Sequence, residues 1–432
     1  MWKFYQPANV IFGEGELANL GKYMDERHLS RAFMVADAFL VNSGAAAKVE
    51  EYAAGKVVGT SSDVEPNPTL KNVEDAAKKA AGANADCIIA FCGGSAMDCA
   101  KAVAVVLADK CDAKDLLNGH QITKALPVIA IPTTAGTGSE VTAGAVLSDK
   151  EKGIKAAIFS PLIFPTIALV DPELTYTVPA KVTAATGLDV LAHSFDAMTS
   201  VKANPATDAL ALGAAKLAVK YLQRAVKDGQ DKEARAGMSQ ASTIAGLAFS
   251  QTGTTGSHAC SYILTSRYHV PHGEACAFTL DSWLLINSKV KPELNDYAKE
   301  LGFADVAELS DWINKLKKEF GMRTTLKEIG AGAEDLADIV DSSMASGNMT
   351  NNIAQIGREG VMTVCKARLQ EQTSAHSKRH RGESSHSRHV WRLQGLSPLV
   401  YYCAILFMCV VAVPYKDTDT AKVPYHADWK SD

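Results

Sequence analysis

The chain has 432 residues, with 44 Lys or Arg against 48 Asp or Glu, and so a formal net charge of −4 (44 − 48). Apolar types at 47% and charged types at 21% are the proportions of a globular protein, which excludes wholesale disorder, a collagen-like fibre and a polytopic membrane protein. A mildly acidic chain offers nucleic acid no global attraction, and the length suits two or three domains that each bury a core.

The start, Met1 to Pro7, contains no apolar stretch of the kind a secretory signal needs. Four apolar runs then follow in order: Arg31–Val35, Cys87–Cys92, Pro127–Ile131 and Ile167–Val170. Helical patterns such as Val73–Ala81 and Met97–Ala108 lie between them. Short apolar runs alternating with helices predict a mostly parallel sheet covered on both faces. After Pro179 the strand signal fades. Ala184–Ser200, Thr207–Ala225, Lys232–Phe249, Ser282–Lys289 and Val306–Phe320 all carry helical periodicity. The expected organisation is an α/β domain over 1–180 and an all-helical domain over 181–369. A tail over 370–432 departs from both, being His- and Arg-rich to residue 395 and then uncharged from Leu396 to Val413. With Ser397 and Pro398 inside it, that run falls short of the roughly 20 apolar residues of a spanning helix. The tail reads as an extension foreign to the core, with a marginal membrane anchor behind a basic flank as the less favoured alternative, and its fold is left unknown. The nine cysteines are scattered without a CxxC spacing, as reduced thiols of a cytoplasmic protein would be.

Three places carry signals for a nucleotide. Gly93-Gly94-Ser95-Ala96-Met97-Asp98 stands directly between a strand and a helix. Its glycines let backbone amides approach a ligand, and the helix N-terminus behind them favours a pyrophosphate. Alone, the segment reads equally as a tight strand-to-helix turn. Thr133-Thr134-Ala135-Gly136-Thr137-Gly138-Ser139-Glu140 follows the next strand with small and hydroxylic residues. Two such loops at the ends of two parallel strands favour a nucleotide site, because open α/β sheets bind ligands at that edge. Asp37 ends the first strand, where a carboxylate accepts hydrogen bonds from an adenosine ribose or caps a turn.

The helical half carries a different signal. Asp189 and His193 stand four apart, on one helix face, while His258 and His272 lie downstream. One carboxylate and three imidazoles make a shell suited to iron or zinc. On spacing alone, an Asp/His pair four apart is more often a surface hydrogen bond.

Taken together, these segments resemble the iron-containing alcohol dehydrogenase family from about Tyr5 to Leu369. Gly93-Gly94-Ser95, Asp98 and Lys101 look like the family's GGGSxxDxAK loop, with Cys92 in place of the first glycine. Pro132 to Glu140 is similar to its PTTAGTGSE loop; Val170-Asp171-Pro172, Gly187 to His193 and Pro271-His272-Gly273 also fit. The resemblance implies a dinucleotide-binding α/β domain with a parallel sheet followed by an all-α metal-binding domain, the plan of dehydroquinate synthase. It implies metal ligation by Asp189, His193, His258 and His272. Cofactor contacts are implied at Asp37, Gly93, Gly94, Ser95, Asp98, Thr133, Thr134, Thr137 and Lys155. The implied cofactors are NAD, with NADP as the alternative, and Fe2+, with Zn2+ as the alternative. Many members carry a further histidine four residues after the third ligand; here that position is Tyr262, and His269 is the substitute candidate for proton relay.

The expected activity is hydride transfer between a small alcohol and nicotinamide by a homo-oligomer that binds no nucleic acid. The alternatives are a metal- and NAD-dependent lyase of the dehydroquinate synthase type and an inactive nucleotide-binding adaptor.

Overall fold

The computed structural model describes residues 1–369 apart from Pro66 and Gly153, and these described residues belong to one compact unit. The basic and uncharged stretches of the tail lie outside the described residues. Among the described residues there are eight strands: β1 (Asn9–Phe12), β2 (Ala32–Ala36), β3 (Val57–Ser61), β4 (Cys87–Cys92), β5 (Val128–Pro132), β6 (Gly144–Asp149), β7 (Ile154–Phe159) and β8 (Ile167–Val170). Six of them form one sheet in the order β1-β8-β5-β4-β2-β3, with every pairing parallel. β6 and β7 make a separate antiparallel hairpin.

The four predicted strands are the centre of this sheet, and the reason is burial on both faces. Alternate residues of β2, β4 and β5 enter opposite cores: Phe33, Val35, Ile88, Ala90, Val128 and Ala130 on one side, Met34, Ala36, Ile89, Phe91, Ile129 and Ile131 on the other. Helices cover each face, as an all-parallel sheet requires. The sequence reading does not include β1, β3 or the hairpin. β1 and β3 are short edge strands, the first largely exposed and the second half-buried, so neither shows a full apolar run.

Strands end at Val170, and long helices begin with Ala180–Met198. Pro205–Lys227, Lys232–Thr252, Gly256–Tyr268, His272–Asn287 and Val306–Glu319 follow. All of these except Gly256–Tyr268 share one core rich in alanine (Ala184, Ala211, Ala214, Ala215, Ala218, Ala241, Ala245), which lets helix axes approach closely. His272–Asn287 packs against Ala180–Met198 through Gly273. A Cβ there would stand 2.1 Å from the Ala185 carbonyl oxygen and 2.9 Å from Asp189 Cβ. That glycine is what lets two ligand-bearing helices touch. No helix among the described residues is long and apolar enough to cross a membrane.

Candidate nucleotide edge and metal centre

The chain leaves β2 for the outer strand β3 and returns across it to β4, so the direction of winding reverses between β2 and β4. Ligands of open α/β sheets bind in the crevice that such a reversal opens at the strands' C-terminal ends. Asp37 follows β2 and Gly93 follows β4, and the two meet: the Gly93 N–H donates to Asp37 Oδ2 at 3.2 Å. Burial raises the Asp37 carboxyl above its usual value, and the Gly93 N–H works against that rise.

Gly93 caps the helix Gly94–Asp109, whose first amides face the same edge. The loop after β5 packs directly alongside. A Cβ on Gly94 would come within 2.7 Å of Thr137 Cγ2, and one on Gly93 within 3.5 Å of Thr134 Oγ1. Two glycines therefore bring the two predicted loops into one surface, with Thr133 buried beneath and Thr134 and Thr137 partly open. Lys155 reaches this surface from the hairpin, which the sequence reading had not identified as a hairpin. Its Nζ donates to Asn67 Oδ1 at 2.7 Å, and the Asn67 N–H donates to Ser95 Oγ at 3.3 Å. Burial lowers the Lys155 pKa. Asp98 has an inward task. Its oxygens accept from Ser139 Oγ at 3.0 Å and from the Val146 N–H at 2.9 Å, binding the first loop to the second and to the hairpin.

In the helical half, Asp189 Oδ1 lies 3.6 Å from His258 Nε2 and 3.9 Å from His193 Nε2, with all three side chains buried. Asp189 Oδ1 and His258 Nε2 have no hydrogen-bond partner. Two orphaned buried acceptor-type atoms aimed at one point are costly unless a cation sits between them. The surrounding bonds prepare the imidazoles for one. His258 Nδ1 lies 2.7 Å from Asp196 Oδ2 and His193 Nδ1 lies 3.2 Å from the Gly136 carbonyl. Each ring thereby donates from Nδ1 and turns a bare Nε2 inward, the usual arrangement behind a metal-bound histidine. Burial raises the Asp189 carboxyl to about 6, against the pull of His258. Burial lowers His272 to about 3, with His258 and Lys155 adding to the effect.

The tightest set of donors is Asp189, His258, His272 and Cys276, whose ligand atoms all lie within 4.8 Å of one another. Three of the four predicted ligands are in it. The fourth, His193, lies beside it, its ring stacked on Phe249 at 4.1 Å and on His258 at 4.7 Å. Sequence reasoning missed Cys276 and Asp196. Both stand on ligand-bearing helices, Cys276 four residues after His272 and Asp196 three after His193, so helical spacing was the available signal. His269 is outside the set. It is exposed and closes the helix Gly256–Tyr268 in the left-handed conformation, at φ +54°. Tyr262 is more enclosed, one turn beyond His258, with its hydroxyl accepting from Asn348 Nδ2 at 2.8 Å.

The Gly136 carbonyl that holds His193 belongs to the loop after β5, so the nucleotide edge and the imidazole cluster touch.

The chain is similar to known proteins. A family profile described as iron-containing alcohol dehydrogenase matches residues 7–172, and that of the Fe-containing alcohol dehydrogenase family C-terminal region matches residues 183–369. Alcohol dehydrogenase 4 of Saccharomyces cerevisiae is 34% identical over 371 residues, covering 84% of this chain and 97% of the yeast protein. The 1-propanol dehydrogenase PduQ of Salmonella typhimurium is 36% identical over 323 residues, or 73% of this chain and 83% of its own. Among solved structures, the sulfoacetaldehyde reductase of Bifidobacterium kashiwanohense in complex with NAD+ superposes with a TM-score of 0.83 at 40% identity, over 86% of this chain and 99% of that one.

Proposed function

The chain belongs to the iron-containing alcohol dehydrogenase family, and we propose that it passes hydride between a small alcohol or aldehyde and NAD at the junction just described. The observation that carries the reading is the pair of orphaned atoms, Asp189 Oδ1 and His258 Nε2, facing each other 3.6 Å apart. Asp189, His193, His258 and His272 would hold the ion, Fe2+ by family and Zn2+ by donor chemistry. When bound, the ion polarises the substrate oxygen and the nicotinamide carries the hydride.

The rest is the work of this chain's own residues. Asp196 and the Gly136 carbonyl fix the tautomers of His258 and His193, so both rings present a lone pair inward. The amides opening the helix Gly94–Asp109 suit a pyrophosphate, with Gly93, Gly94 and Ser95 at the turn and Thr133, Thr134 and Thr137 opposite. Asp37 would accept from the adenosine ribose. Lys155, tied through Asn67 to Ser95, would place a cation between the nucleotide and the cluster. Asp98 would keep the two loops together. His269, exposed three residues before His272, is the proposed relay of the proton to solvent. Residues 1–180 thus serve the nucleotide and 181–369 the metal. A cytoplasmic setting is proposed on the seven free cysteines among the described residues. A homo-oligomer is proposed on the exposed Trp2, Tyr5, Val10 and Phe12 near edge strand β1.

The test is a set of small aldehydes supplied with NADH or NADPH, using wild type and Asp37→Gly. Net oxidation of NADH with a preference over NADPH is expected, because a ribose 2′-phosphate beside Asp37 meets a like charge worth several kcal/mol. Asp37→Gly narrows the preference. A lyase would show no net change in NADH, and equal use of both cofactors by wild type would remove Asp37 from the ribose.

A further inference from the structure

Tyr262 has no part in the reaction as described, yet it stands one turn beyond His258 on the helix Gly256–Tyr268 and shares its face. Four residues advance a helix by about 6 Å, so the two side chains leave that face side by side. The phenol is partly buried. Burial raises its pKa above the usual value, and the charges of His258 and Cys276 act on it in opposite senses, as they do on a group beside the cluster.

The hydrogen bonding of this phenol is one-sided. Asn348 Nδ2 donates to the Tyr262 hydroxyl oxygen at 2.8 Å, and Asn348 is itself held by its backbone N–H, which donates to Ser346 Oγ at 3.3 Å. An amide donor on one side of a hydroxyl turns the hydroxyl proton away from it. Among the described residues that proton meets no acceptor. An enclosed donor with nothing to bond is costly, so a ligand that brings an acceptor is favoured over one that does not.

We propose that Tyr262 determines substrate specificity: its hydroxyl, aligned by Asn348, donates a hydrogen bond to an oxygen substituent on the carbon next to the reacting carbonyl. The protein then selects small oxygen-substituted aldehydes over plain alkyl ones. The proposal rests on the hydride-transfer reading above. The reacting oxygen belongs at the Asp189–His258 pair, and a donor one turn farther along the helix meets the neighbouring substituent instead. No proton leaves Tyr262, so the metal ligands and the relay through His269 keep their roles. A single neutral hydrogen bond of this kind discriminates by about 10-fold or more.

The test uses the metal-loaded full chain with NADH and two aldehydes of equal size, glycolaldehyde and propanal, which differ by a hydroxyl in place of a methyl. Tyr262→Phe should lower the glycolaldehyde-to-propanal ratio of kcat/KM by about 10-fold or more. The unreactive amides glycolamide and propionamide, bound to the complex with NADH, should show the same loss in the ratio of their dissociation constants, a readout free of turnover. Asn348→Asp should lower the ratio as well, although the hydroxyl remains, because its carboxylate accepts the phenol proton. A ratio that Tyr262→Phe leaves as in wild type, or an equal fall for both aldehydes, overturns the contact while leaving the hydride-transfer reading intact. Should Tyr262→Phe not fold, Asn348→Asp decides, and an unaltered ratio there overturns the proposal. Wild type that oxidises NADH with neither aldehyde overturns the hydride-transfer reading and this proposal with it.

Discussion

Asp196 decides which nitrogen of His258 is free. Its Oδ2 lies 2.7 Å from His258 Nδ1 and also accepts from the Thr255 N–H at 2.7 Å, while Oδ1 accepts from Ser257 Oγ at 2.8 Å. A carboxylate so held cannot turn away, and it keeps the His258 proton on Nδ1. Asp196→Asn preserves the volume but removes the charge and puts an amide donor within reach of the ring. The expected result is a folded protein whose metal affinity falls by about 10–100-fold, measured by chelator competition. Unchanged affinity would make Asp196 a support of the Thr255–Ser257 turn alone. The sequence reveals some of these groups and conceals others for a geometric reason. Asp189 and His193 announce themselves because both ligands sit one turn apart on a single helix. Asp196 and Cys276 also stand at helical spacing from ligands, but what each does is decided by side chains of neighbouring helices, and spacing along one helix does not report which side chain the next helix presents.

At the scale of elements, the site depends on how near two helices come. Gly273 follows the ligand His272, and any Cβ on it would enter the Ala185 carbonyl and press on Asp189. Gly273→Ala must therefore separate Ala180–Met198 from His272–Asn287, at a cost of about 1–3 kcal/mol. The loss of metal should be disproportionate, because a displacement of a few tenths of an ångström spoils a shell built from both helices. Thermal unfolding and metal content on one preparation check this: a lowered midpoint with full metal occupancy would contradict it. The strand pattern follows the same logic of neighbours. β2, β4, β5 and β8 are legible because burial on both faces demands unbroken apolar runs. β3 carries Gly59 and Thr60 and is only half covered, so its residues answer to solvent as much as to the core. The hairpin that carries Lys155 alternates buried and half-buried positions in β6, a pattern that its polar turn hides.

At the scale of the whole molecule, the end of the described chain is locked into the helical half by charge. Arg368 Nη2 donates to both oxygens of Asp281, at 2.6 and 2.7 Å, and Lys317 Nζ donates to Asp281 Oδ1 at 2.7 Å. All three are buried. Burial pushes the Asp281 carboxyl up, but Lys317 and Arg368 override it and hold it down to about 2. A carboxylate depressed in the folded state adds stability above its unfolded pKa and loses it as pH falls through the folded value. The window here is about pH 4 down to pH 2, and the contribution is about 2 kcal/mol. Urea titrations across that window should show stability falling with acid in wild type. Asp281→Asn should flatten that fall while lowering stability at neutral pH by about 3–5 kcal/mol, since two cations lose their counter-charge. An equally steep acid fall in Asp281→Asn would place the sensitivity elsewhere.

The central claim is that the loop edge and the imidazole cluster form one metal-dependent redox site, and it is tested most directly by measuring metal content, NADH binding and aldehyde reduction on the same preparations of wild type, His272→Ala and His269→Ala. His272 supplies an inward-facing ring to the cluster without contributing to the nucleotide loops. The expected result is that His272→Ala loses metal and reduction together while still binding NADH, and that His269→Ala keeps its metal but turns over more slowly. Full aldehyde reduction by a metal-free His272→Ala protein would contradict the account.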